Sequence, residues 1–118
     1  MTPSEKLQMT LLYDFYGELL TEKQKEFFNL RHNEDLSLAE IAEQAGISRQ
    51  GVHDILSRAE NILRQTEEKT GLIHRFTQLQ KDIGYAQELV GQLRELVTDE
   101  TPARLIQELA EVLGRMKG

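Results

Sequence analysis

The chain has 118 residues, 20 acidic against 14 basic side chains, a formal net charge of -6 and a 39% apolar share, which bounds it to one small domain or a domain with an extension. Cysteine is absent, which excludes disulfides and thiolate metal sites, and no apolar run is long enough to span a membrane. No stretch is basic, residues 37–69 carrying four Lys/Arg against six Asp/Glu, so strong unaided binding to a polyanion is not expected.

The elements punctuate themselves in chain order. Thr2-Pro3-Ser4-Glu5 reads as a cap, a proline in the first helical position and a capping-box Glu. The helix it opens carries Leu12, Phe15, Tyr16, Leu19 and Leu20 at spacings of three and four. Thr21-Glu22-Lys23-Gln24 is a second capping box, opening a helix with Phe27, Phe28 and Leu30 or Arg31 inside. Asn33-Glu34-Asp35 ends it, and Ser37-Leu38-Ala39-Glu40 is a third box. Ser48 is a plain N-cap. From it Val52, Ile55, Leu56, Ala59, Ile62 and Leu63 keep helical period to about Gln65, and Thr70-Gly71 breaks the run. Leu72, Phe76, Leu79, Ile83, Ala86, Val90, Leu93 and Val97 then form an unbroken heptad seam. After Thr98-Asp99-Glu100-Thr101-Pro102 a last helix carries Leu105, Leu109, Val112 and Met116, with Ile106 and Leu113 beside them. The expected fold is all-α with six helices. It divides into a helix-turn-helix domain, 1–70, and a helical dimerisation extension, 71–118.

The third and fourth helices meet in a turn with specific steric demands. A small residue is needed where the helices cross, and Ala42 supplies it. A residue tolerant of positive φ is needed in the turn, and Gly46 supplies it. Ile41, Ile47, Val52 and Ile55 fill the angle between the helices, and Ser48 caps the second. A plain helical hairpin that happens to contain glycine also fits. In a helix-turn-helix, the outward face of the second helix is Arg49, Gln50, His53, Asp54, Ser57 and Arg58, on the turns that reach base edges in a major groove. Arg49 suits guanine and Gln50 adenine, while Ser48 and Arg58 suit phosphates. Asp54 is discordant: it can accept from cytosine N4 but repels the backbone. Gly51 weakens the helix by roughly 0.5–1 kcal/mol relative to Ala and leaves room for close approach of a partner. The same face in a solvated surface helix is the plainer reading.

These residues carry a resemblance. Leu20-Thr21-Glu22-Lys23-Gln24, Leu30-Arg31, Leu36-Ser37-Leu38-Ala39-Glu40-Ile41-Ala42 and Gly46-Ile47-Ser48-Arg49 resemble the DNA-reading region four of bacterial sigma factors, over roughly residues 17–65. Leu12-Tyr13-Asp14-Phe15-Tyr16, with Ser48-Arg49-Gln50 and Asp54, is more similar to the YlxM family, over most of the chain. These are small helix-turn-helix proteins of Gram-positive bacteria whose genes neighbour those of the signal recognition particle. The resemblance implies a helix-turn-helix fold, DNA as a partner and a regulatory role in the signal recognition particle pathway, whose components become candidate partners. In the sigma pattern Arg49 matches a base-reading Arg. Gln50 stands where Glu is usual, and Asp54 where Gln is usual.

The heptad from Leu72 to Val97 must be covered. It can pack on the last helix, running antiparallel with Leu105, Leu109, Val112 and Met116 facing it, or on the same seam of a second chain. Leu89 and Leu96 widen the stripe, which suggests both neighbours and hence a homodimer. All eight seam residues are candidate dimer contacts. A two-fold pair would present two recognition helices and double the phosphate contacts of an acidic chain.

Chemistry-bearing patterns are missing. His32, His53 and His74 lie far apart and show no metal-ligand spacing, so each reads as a surface or helix-packing histidine. There is no nucleophile elbow, phosphate-cradling glycine loop or paired catalytic carboxylate. Neither an enzyme nor a bound cofactor or metal is expected. The start of the chain lacks a secretory pattern, which points to the cytoplasm with no membrane partner. A DNA-binding regulator is the leading expectation, a protein adaptor using the same face its rival, and RNA binding a third possibility.

Overall fold

A computed structural model describes residues 2–117. It contains six α-helices and no strand among the described residues: α1 Pro3–Tyr16, α2 Glu22–His32, α3 Leu38–Ala45, α4 Arg49–Thr70, α5 Leu72–Leu96 and α6 Glu100–Lys117, with a 3-10 turn at Gly17–Leu19. The capping boxes are formed as the sequence predicts. Thr2, Thr21 and Ser37 each accept from the backbone N–H three residues on, and Glu5, Gln24 and Glu40 return the bond. The chain divides into two compact units, Met1–Ile73 and His74–Gly118.

In the first unit α4 is the spine. Its C-terminal half, with Ala59 and Leu63, packs on Met9, Leu12, Tyr16 and Leu20 and on Phe28 of α2. Its N-terminal half, with Val52 and Leu56, packs on Phe27, Ile41 and Ala42. The face of α1 differs from the expected one. Phe15 and Leu19 are exposed and Met9 is buried: the inward line of α1 is Met9, Leu12 and Tyr16, and the 3-10 turn after Tyr16 takes Leu19 off it. The Tyr13 ring stacks on Phe28 with centroids 4.8 Å apart.

Helix α4 also runs past the expected end at Gln65, to Gly71 in the left-handed conformation. Its last turn lacks an apolar face because polar groups make the contact instead. The Tyr16 hydroxyl donates to Glu67 Oε1 at 2.7 Å and shares a hydrogen bond with Thr70. Glu67 Oε1 also accepts the Ile73 N–H at 2.9 Å. That bond, with Ile73 packed against the Leu63 cluster, moves the unit boundary past residue 70.

The second unit is an antiparallel hairpin of α5 and α6. Ile83, Val90 and Leu113 are buried with Ala86, Ile106 and Ala110 against them. Arg94 donates to Gln107 Oε1 at 2.9 Å, and Gln80 to the Lys117 carbonyl. Two expectations are corrected here. Helix α6 meets α5 through Ile106, Ala110 and Leu113, while Leu105, Leu109, Val112 and Met116 stay exposed. The inward line is shifted by one residue, about 100° of helix, from the expected one, with Ala110 packed against the Ile83, Val90 and Leu113 cluster. In addition, Ile83, Ala86 and Val90 are taken up within the chain and are not open to a second copy. Leu72, Phe76, Leu79 and Leu93 are exposed and Val97 is half-buried.

Candidate nucleic-acid interface

Helices α3 and α4 are joined by a turn that local chemistry locks at three points. Gly46 has φ +70°, a conformation an L side chain adopts at a cost. Its N–H and that of Ile47 both donate to the Ala42 carbonyl, at 2.9 and 3.2 Å. Ser48 is extended, and its hydroxyl accepts the Gly51 N–H at 3.0 Å. Behind the turn Ile41 and Val52 are fully buried with Phe27 and Leu56. A further hold comes from α2, where Arg31 Nη1 donates to the Leu36 carbonyl at 3.1 Å and fixes the approach to α3. Gly51 has an explanation inside the chain. A Cβ there would sit 3.2 Å from the Ser48 hydroxyl that caps it.

Ser48, Arg49, Gln50, His53, Asp54, Ser57 and Arg58 are all exposed along α4. They do not form one uniform surface. Arg49, Gln50 and His53 line a shallow depression with Leu38 at the start of α3. His53 and Ser57 line a second one with Arg31, His32, Leu56 and Glu60. Asp54 and Arg58 lie further round the helix, at 100° per residue. Arg49 and Arg58 make no ion pair or hydrogen bond among the described residues, so both charges are open to a partner.

Asp54 has a role that its charge alone did not suggest. Its Oδ1 accepts from the Gln50 amide at 2.9 Å and lies 3.8 Å from His53 Nδ1. The Gln50 head is thereby oriented, with its carbonyl and one amide hydrogen still available. This i, i+4 pairing is written in the sequence spacing. The contribution of α2 is not, since only tertiary packing brings Arg31 and His32 beside His53 and Ser57.

His32 is the buried polar residue of this unit, 7% exposed, its ring centroid 4.3 Å from that of Phe28. Its Nε2 has no hydrogen-bond partner, and Glu60 Oε1 stands 3.9 Å away, an ion pair only if the ring is charged. Burial lowers its pKa; Glu60 opposes this, while Arg31, Arg64 and Lys6 add to it. The ring is therefore neutral at neutral pH. The Glu40 carboxyl is held below its usual range by the Ser37 backbone and side chain, so the capping box stays charged. Among the described residues no cluster of three or more His, Cys, Asp or Glu is placed to hold a metal, and no helix is long and apolar enough to cross a membrane.

The chain as a whole is similar to a known family. A family profile described as "Putative helix-turn-helix protein, YlxM / p13 like" (UPF0122) matches residues 4–109. A UPF0122 protein of Thermoanaerobacter pseudethanolicus is 45% identical over 104 residues, covering 88% of this chain and 89% of that one. One from Bacillus pumilus is 38% identical over 116 residues, covering 98% and 99%. One from Desulforamulus reducens is 53% identical over 76 residues, covering 64% and 65%. With a turn built on Gly46 and Ser48 and a profile spanning both units, the chain belongs to the YlxM/p13-like family of helix-turn-helix proteins.

Proposed function

We propose that this protein binds duplex DNA as a regulator, laying the first turns of α4 in the major groove and acting as a pair of identical chains. The observation that carries the reading is the Arg49 guanidinium, exposed on the first turn of α4 and unengaged within the chain, on a turn held by Gly46 and Ser48. Arg49 reads guanine, and the Asp54-oriented Gln50 reads adenine. Ser48 and Arg58 meet phosphates, and His53 and Ser57 extend the contact along the groove. The acidic total makes each chain a weak binder, and pairing offsets this by doubling the contacts. The regulated system we propose is the signal recognition particle pathway, which the family resemblance of the sequence supports.

The test is a fluorescence-anisotropy titration with the duplex upstream of the protein's own operon at low salt. Arg49→Ala with Gln50→Ala is expected to weaken binding at least about tenfold, since a bidentate base contact discriminates by ~1–3 kcal/mol. Unchanged binding by the double variant, or none by the native chain, rejects the reading. The net charge of -6 favours one second reading, an adaptor whose same face meets a basic protein. Capture of signal recognition particle components that survives nuclease treatment, and is lost in the same double variant, supports it.

A further inference from the structure

Helix α6 is apolar on two sides, and only one is used. Ile106, Ala110 and Leu113 face α5, while Leu105, Leu109, Val112 and Met116 form a second stripe that is 36–58% exposed. This stripe lies about 100° round the helix from the packed one. On α5, Leu89, Leu93 and Leu96 are also exposed, about 100° from the Ile83–Val90 line in the same rotational sense. The two helices are antiparallel and face each other, so both offsets fall on the same side of the hairpin. The Arg94–Gln107 hydrogen bond puts Leu93 and Leu96 level with the N-terminal half of the α6 stripe. Seven large apolar side chains, each 36–80% exposed, therefore lie on one side of the hairpin.

The order of residues on α6 selects the occupant. The stripe spacing is four, three, four, which reads the same in both directions. It is self-complementary about the point midway between Leu109 and Val112. An antiparallel two-fold pairing therefore sets Leu109 on Val112 of the second copy and Leu105 on Met116, with no offset. Glu108 and Arg115 flank the stripe on the side away from α5. In this register Glu108 of one copy lies about 3 Å along the axis from Arg115 of the other, and the two-fold repeats the pair. Neither residue has an ion pair among the described residues. We infer that the outer face of α6, with Leu89, Leu93 and Leu96 of α5 beside it, is the homodimer seam, joined antiparallel through Leu109 and Val112. This deepens the reading that the protein acts as a pair and moves the contact from the α5 heptad to α6.

The full chain is to be weighed by light scattering up to about 100 μM. A two-chain mass is expected, falling to one chain in Leu109→Glu with Val112→Glu while the far-ultraviolet helix signal is kept. Charge reversal tests the register without touching the apolar core. Glu108→Arg or Arg115→Glu alone is expected to weaken pairing about tenfold through two symmetric contacts, and both together to restore it. Because the chain has no cysteine, Leu105→Cys mixed with Met116→Cys is expected to form a disulfide. Each alone is not, since the paired positions are then about 16 Å apart along the axis. A pair indifferent to the glutamate variants, or cross-linking of each single cysteine with itself, overturns the seam but leaves a paired DNA binder. A monomer throughout overturns both the seam and the pair. The Arg49 titration is scored separately in either case.

Discussion

His32 and Tyr16 are two polar residues that folding places in apolar surroundings, with opposite outcomes. The His32 ring is neutral and its Nε2 unpaired, and burial holds its pKa below that of the unfolded chain, about 6.5. The unfolded state thus takes up the proton first as pH falls. The stability His32 contributes is complete above about pH 6.5 and is lost as pH falls through its lower folded value. Urea midpoints measured from pH 7 to pH 5 are expected to fall for the native chain and to fall less for His32→Leu. Tyr16, by contrast, is satisfied by Glu67 and Thr70, and its phenol pKa is raised, by burial first and then by Glu67. Tyr16→Phe leaves the Glu67 acceptor without that donor and is expected to cost about 1–2 kcal/mol. Thermal unfolding checks this, with a fall of several degrees in a unit of this size.

At the scale of elements, the turn between α3 and α4 owes its form to backbone geometry and one cap. A Cβ at Gly46 meets nothing within 4 Å, so Gly46→Ala is charged only the left-handed backbone penalty of about 1 kcal/mol. Gly46→Asn is expected to recover most of it, and chemical denaturation of the three proteins gives the order. Ser48→Ala removes the acceptor of the Gly51 N–H and is expected to cost about 1 kcal/mol. Hydrogen exchange should show the first turn of α4 opening more readily while the amides near Leu63 are unchanged. DNA affinity should drop with it, because Arg49 and Gln50 ride on that turn.

For the whole molecule, charge sets the character of binding. In the proposed DNA-bound pair, two Arg58 side chains would meet phosphates and two Arg49 side chains the base edges. With the two Arg58 contacts displacing counterions, log K against log salt has a slope of roughly -2, and Arg58→Ala brings it close to zero. A titration series across salt concentrations reads both values. A much steeper slope requires further cations at the interface, and a flat one removes phosphate contact altogether.

What could be read along the chain was whatever neighbours in sequence determine. The capping boxes at Thr2, Thr21 and Ser37, the left-handed Gly46, the Ser48 cap and the break at Gly71 each depend on bonds spanning three or four residues, and residue type alone specifies them. The exposed row from Arg49 to Arg58 followed, because burying Val52, Leu56 and Ala59 leaves one face outward. Tertiary structure decided the choices between equivalent local options. Leu105-Leu109-Val112-Met116 and Ile106-Ala110-Leu113 are both good helical stripes, and only packing against Ile83 and Val90 of α5 made the second one inward. Phe15 had the right period but lies off the Met9-Leu12-Tyr16 line that packs on α4, and Leu19 left that line when the chain tightened at Gly17. The polar end of α4 and the buried His32 depend on groups far away in sequence, Tyr16 in one case and Glu60 in the other. No periodicity along a single helix can contain that information, because burial is a property of the assembled surfaces.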